Sequence, residues 1–332
     1  MWFSAIGYIM TLTLSLLAMS LTATAQPVGK LPRIGVLSPE PPPTATAPSV
    51  ALDAFRQSLR ALGYVEEQTI RLEYRYAAWQ LDRLPALAAD LVRSMPDVLF
   101  TYSTPGVQAA KQTTTTIPIV VGAAGDLVAQ DMVTSQARPS GNITGMTFYG
   151  REIEGKCLAL LKEAVPQSLR VAVLVNPAHP AYTHRPADLA AEAQALGVQL
   201  QRVEARDPGE FEDAFAAMTA NRAEALLVVN DAMFHAHRHR IVALALAHRL
   251  PTISQASGFA EAGGLLQYGV DLPAMFRRAA TYVDKLLKGA TPADLPVERS
   301  DKFELIINLK TAQALGLTFP PHLLVLAEKV IQ

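Results

Sequence analysis

The chain has a single cysteine, no charged residue in its first 25 positions and almost no excess of either charge. Because Cys157 is alone, an internal disulfide is excluded, and a small buried apolar residue is the more ordinary role for it. The formal net charge is −1, and lysines and arginines form no basic stripe. This balance argues against a nucleic acid partner.

Signatures of catalysis are also missing. The sequence has no G-x-S-x-G elbow, no P-loop and no G-x-G-x-x-G fingerprint. His235, His237 and His239 resemble a metal cluster, but on one helix His237 would point away from the other two. No acidic residue completes a zincin motif, and the flanking Arg238 and Arg240 favour a solvated basic helix face. We therefore predict no enzyme, no catalytic residue, no metal and no cofactor.

The uncharged N-terminus is typical of an export signal. An apolar run covers residues 6–21, and Ala23, Thr24 and Ala25 form a small-x-small cleavage site. No basic residue precedes Lys30, so an uncleaved anchor stays as the second interpretation. Gln26, not cysteine, follows the proposed cut, so a lipoprotein is not indicated. We expect a signal peptide over 1–25 and a periplasmic mature protein that starts at Gln26.

After this segment, the same order of predicted strands and helices occurs twice, with an offset of about 130 residues. The first copy predicts strands at 33–37, 69–76, 97–102, 117–121 and 142–148, with helices at 50–62, 81–93 and 105–114. The second copy predicts strands at 170–175, 198–203, 225–229, 251–254 and 264–269, with helices ending at 196 and covering 208–220 and 233–248. Alternating strands and helices predict an α/β fold of two doubly wound parallel-sheet lobes of like topology, joined by a hinge.

The pattern of the tail indicates that the chain crosses from one lobe to the other again. An amphipathic helix over 275–287 precedes a strand over 303–309. We expect three interdomain strands, near 146–149, 266–271 and 289–297. Lobe 1 is then assigned to 30–146 plus about 270–289, and lobe 2 to 147–269 plus about 290–332.

Ligands of open α/β sheets bind beyond the carboxyl ends of the strands. This rule selects a few loops as the walls of an interlobe cleft, namely 38–40, 102–106, 122–126, 176–182, 230–234 and 255–261. Thr104 as N-cap, Pro105 at the first helical position and Gly106 could present amides to a carboxylate. An ordinary capped helix explains the same residues.

Two acidic residues in these loops could bind an ammonium group. They are Asp126 and Asp231, although Asp231 could equally be only the cap of the helix that begins at Ala232. Aromatic residues at strand ends or crossovers could stack on a flat or apolar ligand, or serve core and hinge packing. They are Tyr102, Phe148, Tyr149, Tyr182, Phe234, Phe259 and Tyr268, with Trp79 as a candidate at the lip of the cleft.

Several stretches together resemble a known family. They are 55–65, 82–88, 114–121, 141–145, 173–177, 261–264 and the tail 293–317, which contains Lys-Phe-Glu-Leu-Ile-Ile-Asn-Leu at 302–309. This combination is similar to the ABC-transporter substrate-binding family of uncharacterised periplasmic components, which includes tryptophan-binding members. The resemblance covers nearly all of residues 30–330.

The resemblance implies a type I periplasmic binding fold that delivers a small solute to an ABC permease. Its cleft positions fall on Ser38, Ser103, Thr104, Asp126, Asn176, Asn230 and Asp231, with Tyr268 near the hinge. Tyr102, Tyr182 and Phe234 complete our candidate set. The ligand is expected to be an amino acid or an aromatic or aliphatic carboxylate, and the protein is expected to be a monomer.

Two other function classes remain open at this point. One is a ligand-sensing module of the same fold that partners a membrane receptor or a repressor, although no helix-turn-helix precedes residue 30. The other is an exported enzyme, which would need a convergent acid–base pair that the sequence does not display.

Overall fold

The computed structural model describes residues 31–45, 48–148, 150–177 and 187–332. The predicted signal peptide, Tyr149 and Tyr182 therefore lie outside the described residues. Within the described ranges, no helix combines the length and apolarity that a membrane crossing requires. The chain in these ranges builds two separate sheets with helices packed on them.

The first sheet combines five strands of the first half with one short strand of the tail. The strands are β1 Arg33–Ser38, β2 Arg71–Tyr76, β3 Val98–Thr101, β4 Ile119–Ala124, β5 Ile143–Thr147 and β11 Glu298–Arg299. Their order is β11-β5-β4-β3-β1-β2, and every pairing is parallel. The central strands are continuous apolar runs because helices cover both faces of a parallel sheet.

Four helices accompany this sheet, and one of them comes from the tail. They are α1 Val50–Ala61, α2 Leu84–Arg93, α3 Thr104–Thr113 and α9 Leu272–Leu287. The Ser49 side chain caps α1, and Gly63, at φ +94°, turns the chain after the helix ends. The buried face of α1 packs with α9, where the Tyr64 hydroxyl donates a 3.0 Å hydrogen bond to Asp284. The tail helix is therefore part of the first lobe.

The second sheet is built from the second half and the end of the chain. Its strands are β6 Arg170–Val175, β7 Gln199–Glu204, β8 Ala225–Val228, β9 Thr252–Ser254, β10 Leu266–Val270, β12 Phe303–Asn308 and β13 Lys329–Ile331. The helices of this lobe are α4 Gly150–Ala164, α5 Ala187–Ala195, α6 Phe211–Ala220, α7 Ala232–Ala236, α8 Arg238–Ala247, α10 Leu309–Leu315 and α11 Pro321–Leu326. The strand order is β13-β12-β10-β9-β8-β6-β7.

The two sheets repeat one topology. The order β5-β4-β3-β1-β2 of the first lobe has the same connectivity as β10-β9-β8-β6-β7 of the second. The predicted fold class, two doubly wound lobes of like topology, is confirmed. One pairing departs from the all-parallel expectation, because β12 enters the second sheet antiparallel to β10 after the chain has returned from the first lobe.

The chain passes between the lobes at three places, after β5, after β10 and after β11. Strand β11 pairs with β5, so the segment that leads to it belongs to the first sheet. The assignment of residues 290–299 to the second lobe is therefore wrong, and the third crossing lies at 300–302 instead of near 289–297. Phe148 and Val270, at the other two crossings, pack against the cores of both lobes.

Candidate ligand-binding site

The carboxyl end of β1 meets the carboxyl end of β3 through two buried hydroxyls. Ser38 Oγ and Tyr102 Oη are 2.7 Å apart, and both residues are buried. The Tyr102 ring packs edge-on against Phe276 of α9, with ring centroids 5.0 Å apart. Ser38 Oγ also accepts the backbone N–H of Glu40 at 3.1 Å. These contacts fix the loop after β1 and orient Glu40.

Glu40 is a partly buried carboxylate beside this pair. It accepts hydrogen bonds from the hydroxyls of Tyr102 and Ser49, and the guanidinium of Arg238, from the second lobe, acts on it electrostatically. Burial raises the pKa of Glu40 above its ordinary value, and this effect exceeds the lowering by its three partners. The same burial raises the pKa of the Tyr102 hydroxyl well above its usual range. Tyr102 therefore stays a neutral donor.

The loop after β3 is strained at its centre. Ser103 adopts φ 63° and ψ 151°, a backbone region that is essentially reserved for glycine. Its N–H donates to the Ala123 carbonyl at 2.7 Å, and its Oγ accepts the Gly106 N–H at 3.3 Å. The expectation that Thr104 caps this helix is wrong, because Ser103 is the N-cap and Thr104 is the first helical residue. Pro105 has no N–H and the Gly106 N–H is bonded to Ser103 Oγ, so neither residue offers a free amide to a carboxylate.

Asp126 follows β4 and shapes its own turn. One carboxylate oxygen accepts the backbone N–H groups of Val128 and Ala129 at 3.0 and 3.1 Å. A carboxylate engaged in this way has less capacity for a ligand ammonium group.

Asp231 holds two loops of the second lobe together. Its Oδ1 accepts the N–H groups of Met233 and Phe234 at 2.8 and 3.3 Å, which caps α7. Its Oδ2 accepts Asn176 Nδ2 at 3.2 Å. The capping alternative for Asp231 is confirmed, and its two oxygens already have protein partners, so an ammonium group would have to compete with them.

The lobes touch where the loop after β2 faces α7. The ring centroids of Trp79, from the first lobe, and His235, from the second, are 4.7 Å apart. Trp79 reaches this position with φ 64°, in the left-handed region, and its N–H donates to the Pro39 carbonyl at 2.7 Å. Burial, assisted by the charge of Arg238, lowers the pKa of His235 to about 4. His235 is therefore neutral at neutral pH.

The predicted continuous helix over 233–248 is broken. Helix α7 ends at Ala236, His237 has φ −102° and ψ 18°, and α8 starts at Arg238. The interpretation of this segment as a solvated basic face is wrong for His235 and holds only for the exposed His239 and Arg240. Because of the break, Arg238 begins a new helix on the cleft side of the lobe.

Two side-chain donors in this part of the second lobe lack a partner. Arg238 Nε and Gln255 Nε2 are buried and form no hydrogen bond within the described chain. Arg238 Nη1 donates to the His235 carbonyl at 2.9 Å, which holds the guanidinium in place. Gln255 follows β9 directly, at the sheet edge where ligands of this architecture bind.

Comparison with known proteins decides the family. The sequence model of the family described as ABC transporter substrate binding protein matches residues 47–331. This chain belongs to that family.

Relatives and solved structures agree with the assignment of this substrate-binding protein. It is 25% identical over 267 residues to a tyrosine-binding protein of Clostridioides difficile strain R20291, covering 80% of this chain and 76% of the relative. A Streptococcus pneumonia ABC domain in complex with L-Trp superposes with a TM-score of 0.82 at 22% identity, over 91% of this chain and all of the other. The ligand-free, open structure of a Clostridium difficile substrate-binding protein with adhesive properties gives 0.68 at 22% identity, with the same coverage.

The substrate-binding protein brings most of the predicted site residues to the facing strand ends. Ser38 and Tyr102 form one cluster, and Asn176, Asp231 and Phe234 form another, while Asn230 is exposed beside it. Phe234 is buried against Phe211, with centroids 6.1 Å apart.

Tyr268 occupies a different environment in the substrate-binding protein. Its ring stacks on Phe303 of β12 with centroids 5.7 Å apart, and its carbonyl is 3.5 Å from the Cys157 thiol. This placement fits the hinge and core packing that the sequence left open for the aromatic residues. The role predicted for Tyr182 lies outside the described residues.

Sequence reasoning did not select three polar or charged residues of this site, Glu40, Arg238 and Gln255. Glu40 and Gln255 fall in loops that the strand-end rule selects, but their residue types carry no motif. Arg238 was assigned to solvent because a continuous helix was assumed. The sequence carries no breaker such as proline or glycine at His237, so no local signal marks the end of the first helix there.

Proposed function

We infer that this substrate-binding protein is exported to the periplasm, binds an amino acid or an aromatic or aliphatic carboxylate between its lobes, and delivers it to an ABC permease. The observation that carries the proposal is the pair of buried donors without a hydrogen-bond partner among the described residues, Arg238 Nε and Gln255 Nε2, beside the contact of Trp79 and His235 that joins the two lobes. Binding between lobes couples occupancy to closure, and the closed form is what a permease would recognise.

The similarities to other proteins support the same function. One relative is a tyrosine-binding protein, and one solved structure contains L-Trp. The fold of this chain is closer to that L-Trp complex, with a TM-score of 0.82, than to the ligand-free, open structure, with 0.68. The Trp79–His235 contact across the cleft is consistent with lobes that stand close together.

A thermal-shift screen tests this function. Common L-amino acids and aromatic and aliphatic carboxylates are added one at a time, with neutral sugars as the control set. A ligand at 100 times its Kd should stabilise the folded protein by about 2.7 kcal/mol, because it binds only the native state. The ligand should be recovered chemically unaltered, since we propose no catalysis. A screen in which no compound raises Tm, or in which the ligand returns altered, contradicts the proposal.

Export is a separate part of the proposal. The uncharged stretch and the Ala23, Thr24 and Ala25 site motivate cleavage after residue 25. Protein recovered from a periplasmic fraction should give an N-terminal sequence that starts at Gln26. A sequence that starts at Met1 would instead favour an uncleaved anchor.

A further inference from the structure

Trp79 is presented to the second lobe by a strained turn. Ala78 and Trp79 are consecutive non-glycine residues in the left-handed region, with φ 52° and 64°. Such conformations are unfavourable and persist only where the surrounding structure imposes them. Three backbone hydrogen bonds of 2.7, 2.8 and 3.3 Å impose this turn, because they join the N–H groups of residues 77–79 to the carbonyls of residues 38–40. The loop after β1 therefore fixes the place of Trp79.

His235 is held firmly on the other lobe. It lies on α7, and its own carbonyl accepts a 2.9 Å hydrogen bond from Arg238 Nη1. Its neighbours Phe234 and His237 both contact the buried Phe211 ring, with centroids 6.1 and 5.9 Å away. Because these two side chains anchor the segment to the core of the second lobe, the imidazole of His235 is left to contact the first lobe.

The two side chains meet across the lobes as neutral aromatic groups. Their ring centroids are 4.7 Å apart and their planes are inclined by 49°. His235 is uncharged at neutral pH because burial lowers its pKa to about 4. Both partners belong to the protein itself, so the contact does not require a solute. An aromatic pair of this kind shifts an equilibrium on the order of 3- to 10-fold.

We propose that Trp79 and His235 form an interlobe latch, a contact that biases the substrate-binding protein towards its closed form before any solute binds. A bias on the order of 3- to 10-fold leaves open molecules in the population, so a solute can still enter and compact the protein further. The latch raises the affinity for every solute alike, because less free energy is needed to close the lobes. The inference goes beyond the proposed function, since it concerns the position of the lobes without a solute.

Small-angle X-ray scattering without added solute tests the latch. Native mass spectrometry first confirms that each sample carries no co-purified small molecule. Trp79→Ala and His235→Ala should each give a larger radius of gyration than the wild-type protein. The double variant should be no larger than either single variant, because both changes remove the same contact.

Two further variants are controls. Trp79→Phe keeps an aromatic ring opposite His235 and should stay near the wild-type radius. His239→Ala removes a histidine that is exposed on the same lobe, and it should not change the radius. If the thermal melt shows that Trp79→Ala does not fold, Trp79→Leu takes its place.

Binding measurements add a second readout. Each single variant and the double variant should bind the best solute on the order of 3- to 10-fold more weakly than the wild-type protein, by the same factor. Radii of gyration that are equal in the wild-type protein and both single variants would overturn the latch. Opening in only one single variant, or effects that add in the double variant, would also overturn it, because the two residues would then act separately. If no solute binds, the proposed function fails, while the comparison without solute still decides the latch.

Discussion

Gly145→Ala is expected to leave little folded protein, lowering the free energy of unfolding by more than about 4 kcal/mol. Gly145 lies on β5 at φ +126°, and a Cβ there would come within 2.3 Å of the Val121 carbonyl oxygen and 2.6 Å of the Val121 nitrogen. Both are backbone atoms of β4, which cannot rotate away as a side chain would. The β4–β5 register is already irregular between Val121 and Ala124.

Gly141→Ala is the matched control for this substitution. Gly141 also has a positive φ, +81°, but a Cβ there would meet nothing within 4 Å. Gly141→Ala should therefore lower the free energy of unfolding by only about 1 kcal/mol, the cost of placing alanine at a positive φ. Urea denaturation of both variants measures the difference. Equal and small losses would show that β5 can move away from β4, contrary to the close approach described above.

Acidification is expected to weaken ligand binding through His235. In the structure, where Trp79 and His235 are in contact, burial and the nearby Arg238 charge hold the pKa of His235 at about 4. Trp79 belongs to the other lobe, so opening exposes the imidazole and returns its pKa towards the ordinary value of about 6.5. Closure of the lobes and protonation of His235 therefore oppose each other.

The direction in which affinity changes with pH depends on which state, open or closed, binds the proton. At neutral pH, His235 is neutral in both states and has no effect. As the pH falls from about 6.5 to about 4, His235 binds a proton in the open state but stays neutral in the closed state, so opening is favoured. Affinity for the best amino acid should drop on the order of 30-fold between pH 7.5 and pH 5 from this group alone.

Two histidine variants isolate this effect from other titrations. Glu40 also has a perturbed pKa, but it is unchanged in both variants, so its contribution cancels in the comparison. His235→Gln should abolish most of the loss of affinity between pH 6.5 and 5. His239→Gln, on the exposed side of α8, should titrate like the wild-type protein. A His235→Gln profile that keeps the full acid loss contradicts the closure argument.

The sequence predicts the two lobes because their pattern is local and repeated. Each buried strand is an apolar run, and stops such as Gly63 and Gly197 mark the ends of helices at equivalent points. These features depend on neighbours a few residues apart. The third crossing was misplaced because β11 has only two residues, Glu298 and Arg299, and its pairing with β5 is a long-range contact without a local signature.

The candidate site was predictable as a set of loops but not as a set of contacts. The strand-end rule selects the segments that contain Ser38, Tyr102 and Asp231, since parallel strands bring their carboxyl ends together. It does not say that Asp231 will cap α7, or that Arg238 will follow a helix break at His237. Those outcomes depend on tertiary packing, which overrides the helical periodicity of the segment.

Small-angle X-ray scattering of the purified protein, with and without a saturating amino acid, tests the central claim most directly. Two lobes that close around a solute predict a smaller radius of gyration with that amino acid than without it, and no change on adding a neutral sugar that does not bind. Tight binding of the amino acid with an unchanged radius of gyration would contradict binding between lobes that close.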